Sequence, residues 1–182
     1  MHRALVLCLL TALALCPDRA HGADRGIATD LPRVAQALLQ ALQGSKPLKG
    51  FLCARVGVGY HTDDRSTGEF NGQATVTAAE LDGTISIRGK TGGEAWESGK
   101  KIKPRAKALR INLRREAREI LKAVDDYNRT NRDPSSQLRP ELDAKQLTYE
   151  ISDIGTRLKF FFRREDQTLR VHKLEYSIED PG

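Results

Sequence analysis

The amino-acid sequence predicts an α+β fold: an antiparallel, curved sheet of about six strands with two helices on one face. Three features predict it. Apolar residues recur at helical spacing over residues 30–43 and 105–128, and they alternate with polar residues at a period of two across 51–88 and 146–178. Short connections inside each alternating block favour antiparallel meanders. One helical segment precedes each block and can cover its apolar side.

Residues 1–22 read as a secretory signal peptide. Arg3 makes the start positive, residues 4–16 are apolar, and Ala20-His21-Gly22 puts small residues, Ala20 and Gly22, at the two positions a signal peptidase inspects. The apolar run is too short to span a bilayer as an anchor. The expectation is an exported protein, periplasmic or extracellular, with residues 23–182 forming a single domain. Leu13-Ala14-Leu15-Cys16 resembles a lipobox that would anchor the chain through lipid at Cys16, although Leu15 is large for the position before the cysteine. Cys8 and Cys16 fall in the leader, which leaves Cys53 without a disulfide partner, so stability rests on an apolar core.

Thr29-Asp30-Leu31-Pro32 has the form of a helix start, a capping side chain followed by proline in the first turn. Leu31, Val34, Ala35, Leu38, Leu39 and Leu42 then make a stripe that ends at Gly44. In the next segment Leu52, Ala54, Val56, Val58 and Tyr60 take one side, and Cys53, Arg55, Gly57, Gly59 and His61 the other. Residues 61–68 read as a turn. Phe70, Gly72, Ala74, Val76 and Ala78 mark the buried side of a second strand, and Ile85 and Ile87 that of a third. The Gly-rich residues 89–99, with the lone Trp96, read as a loop before a short strand near Ile102 that Pro104 ends.

Leu109, Leu113, Ala117, Ile120, Val124 and Tyr127 form one helical stripe. Leu109, Ile111 and Leu113 also alternate with Arg110, Asn112 and Arg114 as a strand would, so only 115–127 is helical under both patterns. The expected helix begins near Arg105. Residues 128–140, with Pro134 and Pro140, make a surface loop. Three more strands follow, with buried sides Leu147/Tyr149/Ile151, Leu158/Phe160/Phe162 and His172/Leu174/Tyr176/Ile178.

No catalytic or metal-binding signature survives inspection, and no cofactor is implied. Gly89-Lys90-Thr91 lacks the upstream glycine of a phosphate loop, because Thr84 stands in its place. Lys90-Thr91-Gly92 and Ser98-Gly99-Lys100-Lys101 occur in the reverse of the order used by penicillin-binding enzymes. Asp126-Tyr127-Asn128 opens like a calcium loop, but Asn131 and Gln137 fill the positions that need glycine and glutamate. Two histidines remain after the leader. His172 reads as a core-edge residue, and His61 with Asp63 and Asp64 is a weak metal candidate without a second cluster. A secreted hydrolase built on scattered residues is the least favoured class.

The chain carries a formal net charge of +6, concentrated between the two strand blocks. From Lys100 through Glu119 nine residues are basic (Lys100, Lys101, Lys103, Arg105, Lys107, Arg110, Arg114, Arg115 and Arg118), against Glu116 and Glu119. Of these, Lys100, Lys101, Lys103, Arg105, Lys107, Arg110, Arg114 and Arg118 are candidate contacts for a polyanion. They suit a surface-interaction module that binds anionic lipid, a cell-wall polymer or nucleic acid. On the apolar side, Ala54, Gly72, Ala74 and Ala78 are small, which permits either close helix packing or a shallow apolar cavity.

The order of elements resembles that of the LolA/LolB-like family of periplasmic lipoprotein carriers: an export signal, a leading helix, a curved meander, an intervening helix and returning strands. Thr67-Gly68-Glu69-Phe70 and Lys173-Leu174-Glu175-Tyr176 are the nearest local echoes, and the basic segment departs from the pattern. The resemblance implies a non-enzymatic exported protein that holds a lipid or acyl chain between sheet and helices, and a lipid or lipoprotein as partner. Val56, Val58, Tyr60, Phe70 and Val76 would line such a site.

Overall fold

The computed structural model describes residues 19–64, 68–95 and 100–179. Most of the expected leader, Cys16 and Trp96 lie outside the described residues. The chain runs α1 (Arg19–Gln43), a 3-10 turn (Leu48–Phe51), β1 (Leu52–Asp64), β2 (Gly68–Thr77), α2 (Ala78–Leu81), β3 (Thr84–Ala95) and β4 (Lys100–Asn112). It continues through α3 (Leu113–Thr130), β5 (Glu141–Asp143), β6 (Thr148–Ser152), β7 (Thr156–Glu165) and β8 (Thr168–Glu179). No described helix is long and apolar enough to cross a membrane.

The strands form one sheet in the order β4-β3-β2-β1-β8-β7-β6-β5. The expected six-stranded antiparallel sheet with two helices is therefore corrected, among the described residues, to an eight-stranded mixed sheet with three helices. Each half is an antiparallel meander, as its hairpins dictate, but the halves meet through a parallel pair, β1 with β8. A parallel junction needs a long crossover, and α3 with its following loop carries the chain from one sheet edge, β4, to the other, β5.

β4 is the largest departure from the sequence reading. Residues 100–112, expected to be helical from Arg105, are a strand. Leu109 and Ile111 face the same side as Ile87 and Ile85, their cross-strand partners. Burying that ladder outweighs the helical propensity of the flanking Lys and Arg. Pro104 does not end the strand: β4 is an edge, where a proline forfeits no ladder hydrogen bond on its outer side, and an irregularity in pairing falls at 103–104. The helix begins at Leu113 because Asn112 caps it, its side chain accepting the Arg115 amide at 3.0 Å. Residues 61–64 likewise continue β1 instead of turning. The short α2 is set by a capping box: Thr77 and Glu80 accept each other's amides.

The apolar stripes of α1 and α3 close over one face of the sheet. Leu31, Leu38 and Leu42 of α1 and Ala117 and Ile120 of α3 join Val56, Leu158, Phe160 and Leu174 in a single buried cluster. Tyr176 donates to Glu116 Oε2 at 2.8 Å and so fixes the first turn of α3 to β8. Burial, with Glu116 as the next cause, pushes the Tyr176 phenol far above its ordinary range. In β8 the expected alternation slips. Val171 and Leu174 both point inward because His172 is an extra residue in a β-bulge, where Phe161 pairs with Lys173 and Phe162 with Val171.

Candidate functional site

The sheet face away from α1 and α3 is open, and its register aligns two rows of side chains across six strands. One row is Lys159, Glu175, Gly59, Gln73, Arg88 and Ala108. The other is Arg157, Ser177, His61, Asn71, Lys90 and Ala106. Residues two apart on a strand share a face, so the rows lie roughly 7 Å apart. Together they floor a hollow of about 720 Å³ that reaches from β7 to β3. Gly59 lies between Gln73 and Glu175 and contributes no side chain. A Cβ added there would meet Glu175 Cγ at 3.5 Å, which is ordinary contact.

Charge divides this trough. On the β7 and β8 side the cations are neutralised: Arg157 pairs with Glu150 at 3.3 Å and Glu179 at 3.5 Å, Lys159 with Glu150 at 3.4 Å, and Lys173 with Glu175 at 2.6 Å. On the β3 side Arg88 and Lys90 are exposed and belong to no ion pair among the described residues. His61 Nδ1 lies 2.7 Å from Asn71 Oδ1, which can only accept. Nδ1 therefore carries the hydrogen, and Nε2 is left as an acceptor.

The positive end of the trough continues onto the sheet edge. Lys101, Lys103, Arg105, Lys107 and Arg110 are exposed along β4, and Arg110 faces the same side as Arg88 and Lys90. Arg105 and Lys107 point to the side of Ile111 yet remain exposed. Lys100 opens the strand. Arg118 is exposed on α3, its Nε donating to the Arg114 carbonyl at 3.1 Å. Arg114 is the exception among the expected contacts. It donates to the carbonyls of Ala41, Gly44 and Lys46 and to Asp82 Oδ1, and its side chain is 13% exposed. That arginine holds the end of α1 and is not available to a polymer.

The expected apolar lining lies on the covered face. Val56, Val58, Phe70 and Val76 are buried, and Tyr60 is half-buried. Gly72 and Gly89 there are filled by a ring, since a Cβ on Gly72 would meet the Phe70 ring at 2.8 Å and one on Gly89 would meet it at 2.6 Å, while Ala54, expected beside them, is exposed. Tyr60 packs edge-on to Phe70 with centroids 5.7 Å apart, and 5.2 Å from Tyr176. Close packing, not an open notch, is what the glycines permit.

Among the described residues no group of three His, Cys, Asp or Glu side chains is placed to hold a metal ion. His172 borders a second open-face hollow above Gly57 and Gly59. Burial, with Arg163 and Lys173 adding to it, lowers its pKa. Cys53 is buried, and burial raises its thiol pKa.

No family model, curated protein or solved structure matches this chain. The functional reading therefore rests on the two sheet faces themselves. The strand alternation marks the covered face, and the opposite phase of the same pattern carries the polar residues of the trough. Asn71 and Gln73, Arg88 and Lys90, and Glu175 and Ser177 were legible there as i, i+2 polar pairs. What the sequence did not supply was the register that aligns them.

Proposed function

We propose that this chain is an exported, non-catalytic binding module that docks an anionic polymer along the basic β3–β4 edge. The observation that carries the reading is the position of β4 at the end of the sheet, with Lys101, Lys103, Arg105, Lys107 and Arg110 exposed along it. Lysines on an edge strand also discourage strand-to-strand aggregation. That role needs charge only on the outermost strand, whereas here cations also stand inward at Arg88 and Lys90 on β3, on the face they share with Arg110 and opposite to that of Arg105 and Lys107. A line of cations spaced along an extended strand matches the spacing of charge on a linear polyanion better than it matches a compact ligand.

The reading with an acyl chain against Val56, Val58, Tyr60, Phe70 and Val76 would need the Phe70 ring to leave its seat over Gly72 and Gly89. The surface reading needs no such movement. Fluorescence anisotropy with labelled heparin and labelled oligothymidylate tests it. Affinity should fall steeply as salt rises, and Arg105→Glu/Lys107→Glu should weaken binding at least about tenfold. Salt-independent affinity, or an unaffected double variant, would sink the proposal; uptake of a fluorescent fatty acid instead would favour the acyl-chain reading.

A further inference from the structure

We propose that the open-face trough is a subsite for an acidic glycan, with an acidic sugar over Arg88 and Lys90 and hydroxyl-rich sugars running across Gly59 toward Ser177. The inference rests on the polyanion-docking reading and names the polymer class. Arg88 offers the planar fork that grips a carboxylate or sulfate through two parallel hydrogen bonds, and Lys90, one row along, adds a point charge. From β3 to β8 the floor then changes character. Asn71 and Gln73 each donate and accept, His61 Nε2 accepts, and the Ser177 hydroxyl does both. That is the inventory that meets sugar hydroxyls, and it extends for roughly 14 Å, three strand spacings, in one direction.

Two features separate a glycan from a nucleic acid. A single-stranded nucleic acid is held by aromatic platforms under its bases and by cations along its full length. The floor itself carries a single small ring, the His61 imidazole held against Asn71, and Phe161 beside the trough lies off its floor with the Lys173 ammonium 4.9 Å from its centroid. The floor also turns from net positive at Arg88 and Lys90 to neutralised at Lys159 and Arg157, with Glu150 15% exposed and shared between those two cations. A phosphate on every residue would leave its charge unmatched at that neutralised end, while a chain with spaced acidic groups would not.

The experiment is isothermal titration of the protein at low salt with a hyaluronan oligosaccharide, in which acidic and neutral sugars alternate, with its neutral methyl ester and with an oligothymidylate of equal charge. The acidic glycan should bind at least about tenfold tighter than either of the others. Gly59→Leu fills the hollow without changing charge and should cost the glycan about tenfold or more, with an unchanged melting curve showing that the fold is kept. Arg88→Glu should reduce glycan binding and leave the neutral ester unaffected. Equal affinity for oligothymidylate, or full glycan affinity in a folded Gly59→Leu protein, overturns the subsite. In that event, loss of both ligands in Lys107→Glu would show that edge docking still stands. If neither acidic probe binds, both readings fall together.

Discussion

Arg114 in the first turn of α3 donates to Asp82 Oδ1 at 2.6 Å, and Asp82 accepts the Leu48 amide at 3.2 Å. One ion pair therefore joins α3, the α2–β3 turn and the segment that follows α1. Because Arg114 also donates to the Ala41 carbonyl, removing it leaves a partly buried carboxylate and a partly buried acceptor without their donor, while the Gly44 and Lys46 carbonyls it also meets are exposed and can turn to water. Arg114→Met should lower stability by roughly 1–3 kcal/mol in urea unfolding. Its affinity for heparin, measured on the folded fraction, should not change. A variant as stable as the parent would show that these bonds do not tie the elements, and a loss of heparin affinity without a loss of stability would return Arg114 to the docking surface.

The Phe70 ring makes a different demand on the sequence, since it requires two positions on neighbouring strands to have no side chain. A Cβ on Gly89 would come within 2.6 Å of Gly72 Cα, which is backbone and cannot swing away. Gly89→Ala should cost about 1–3 kcal/mol or more through overpacking and loosened β2–β3 pairing. Phe70→Ala should cost roughly 3–5 kcal/mol through the cavity it leaves. Thermal melts check both. If Phe70→Ala is neutral, the ring is not part of the packed core, and the notch becomes available to a ligand.

These two sites show what the sequence carried and what it did not. The stripe of Leu31, Leu38 and Leu42 and the alternation at Phe70 and at Phe160 are local patterns, so the end of the first helix and several strands could be read directly. The start of that helix could not, since α1 begins at Arg19 and takes Pro32 into its interior instead of starting at the expected Asp30. β4 could not be settled this way. Leu109 with Leu113 fits a helix and Leu109 with Ile111 fits a strand, and the choice is made by Ile85 and Ile87, more than twenty residues earlier in the chain. The His172 bulge is equally invisible, because it arises from how β8 fits β7. Arg114 was misread for a related reason: charge along a segment does not distinguish an arginine facing solvent from one facing carbonyls.

His172 gives a pH dependence whose sign follows from its surroundings. Burial first, then Arg163 and Lys173, lower its pKa in the folded protein below the ordinary 6.5. The unfolded chain therefore binds the proton more readily, and stability is fully present above about pH 6.5 and declines as pH falls through the lower folded value. The capped carboxylates Glu80, Asp133 and Asp143 have lowered pKa values as well, and their contribution is lost only further down, below their ordinary values of 4.5 and 3.8. His172→Gln should remove the upper limb of the pH–stability curve and leave the lower one. An unaltered curve between pH 7 and pH 5 would mean that His172 is equally solvated in both states.

The cations of β4 stand on an unpaired strand, and this allows their two roles to be separated. A thirteen-residue edge exposes a ladder of amides and carbonyls that a second chain can pair with, and charge or proline on the edge opposes this. Pro104 interrupts the outer ladder near one end, so the stretch from Arg105 to Arg110 is the part left open. Replacing Arg105 and Lys107 with threonine keeps strand propensity while removing charge. If the two cations serve docking alone, the variant should lose heparin affinity and remain in its parental oligomeric state. If they also guard the edge, it should in addition associate with rising concentration, seen by sedimentation velocity, and Ala106→Pro added to the same background should reverse that association. The expected outcome is both losses, because these charges lie on the only long edge strand among the described residues, and cations also stand on the other face of β3 at Arg88 and Lys90, where edge protection gives no reason for them.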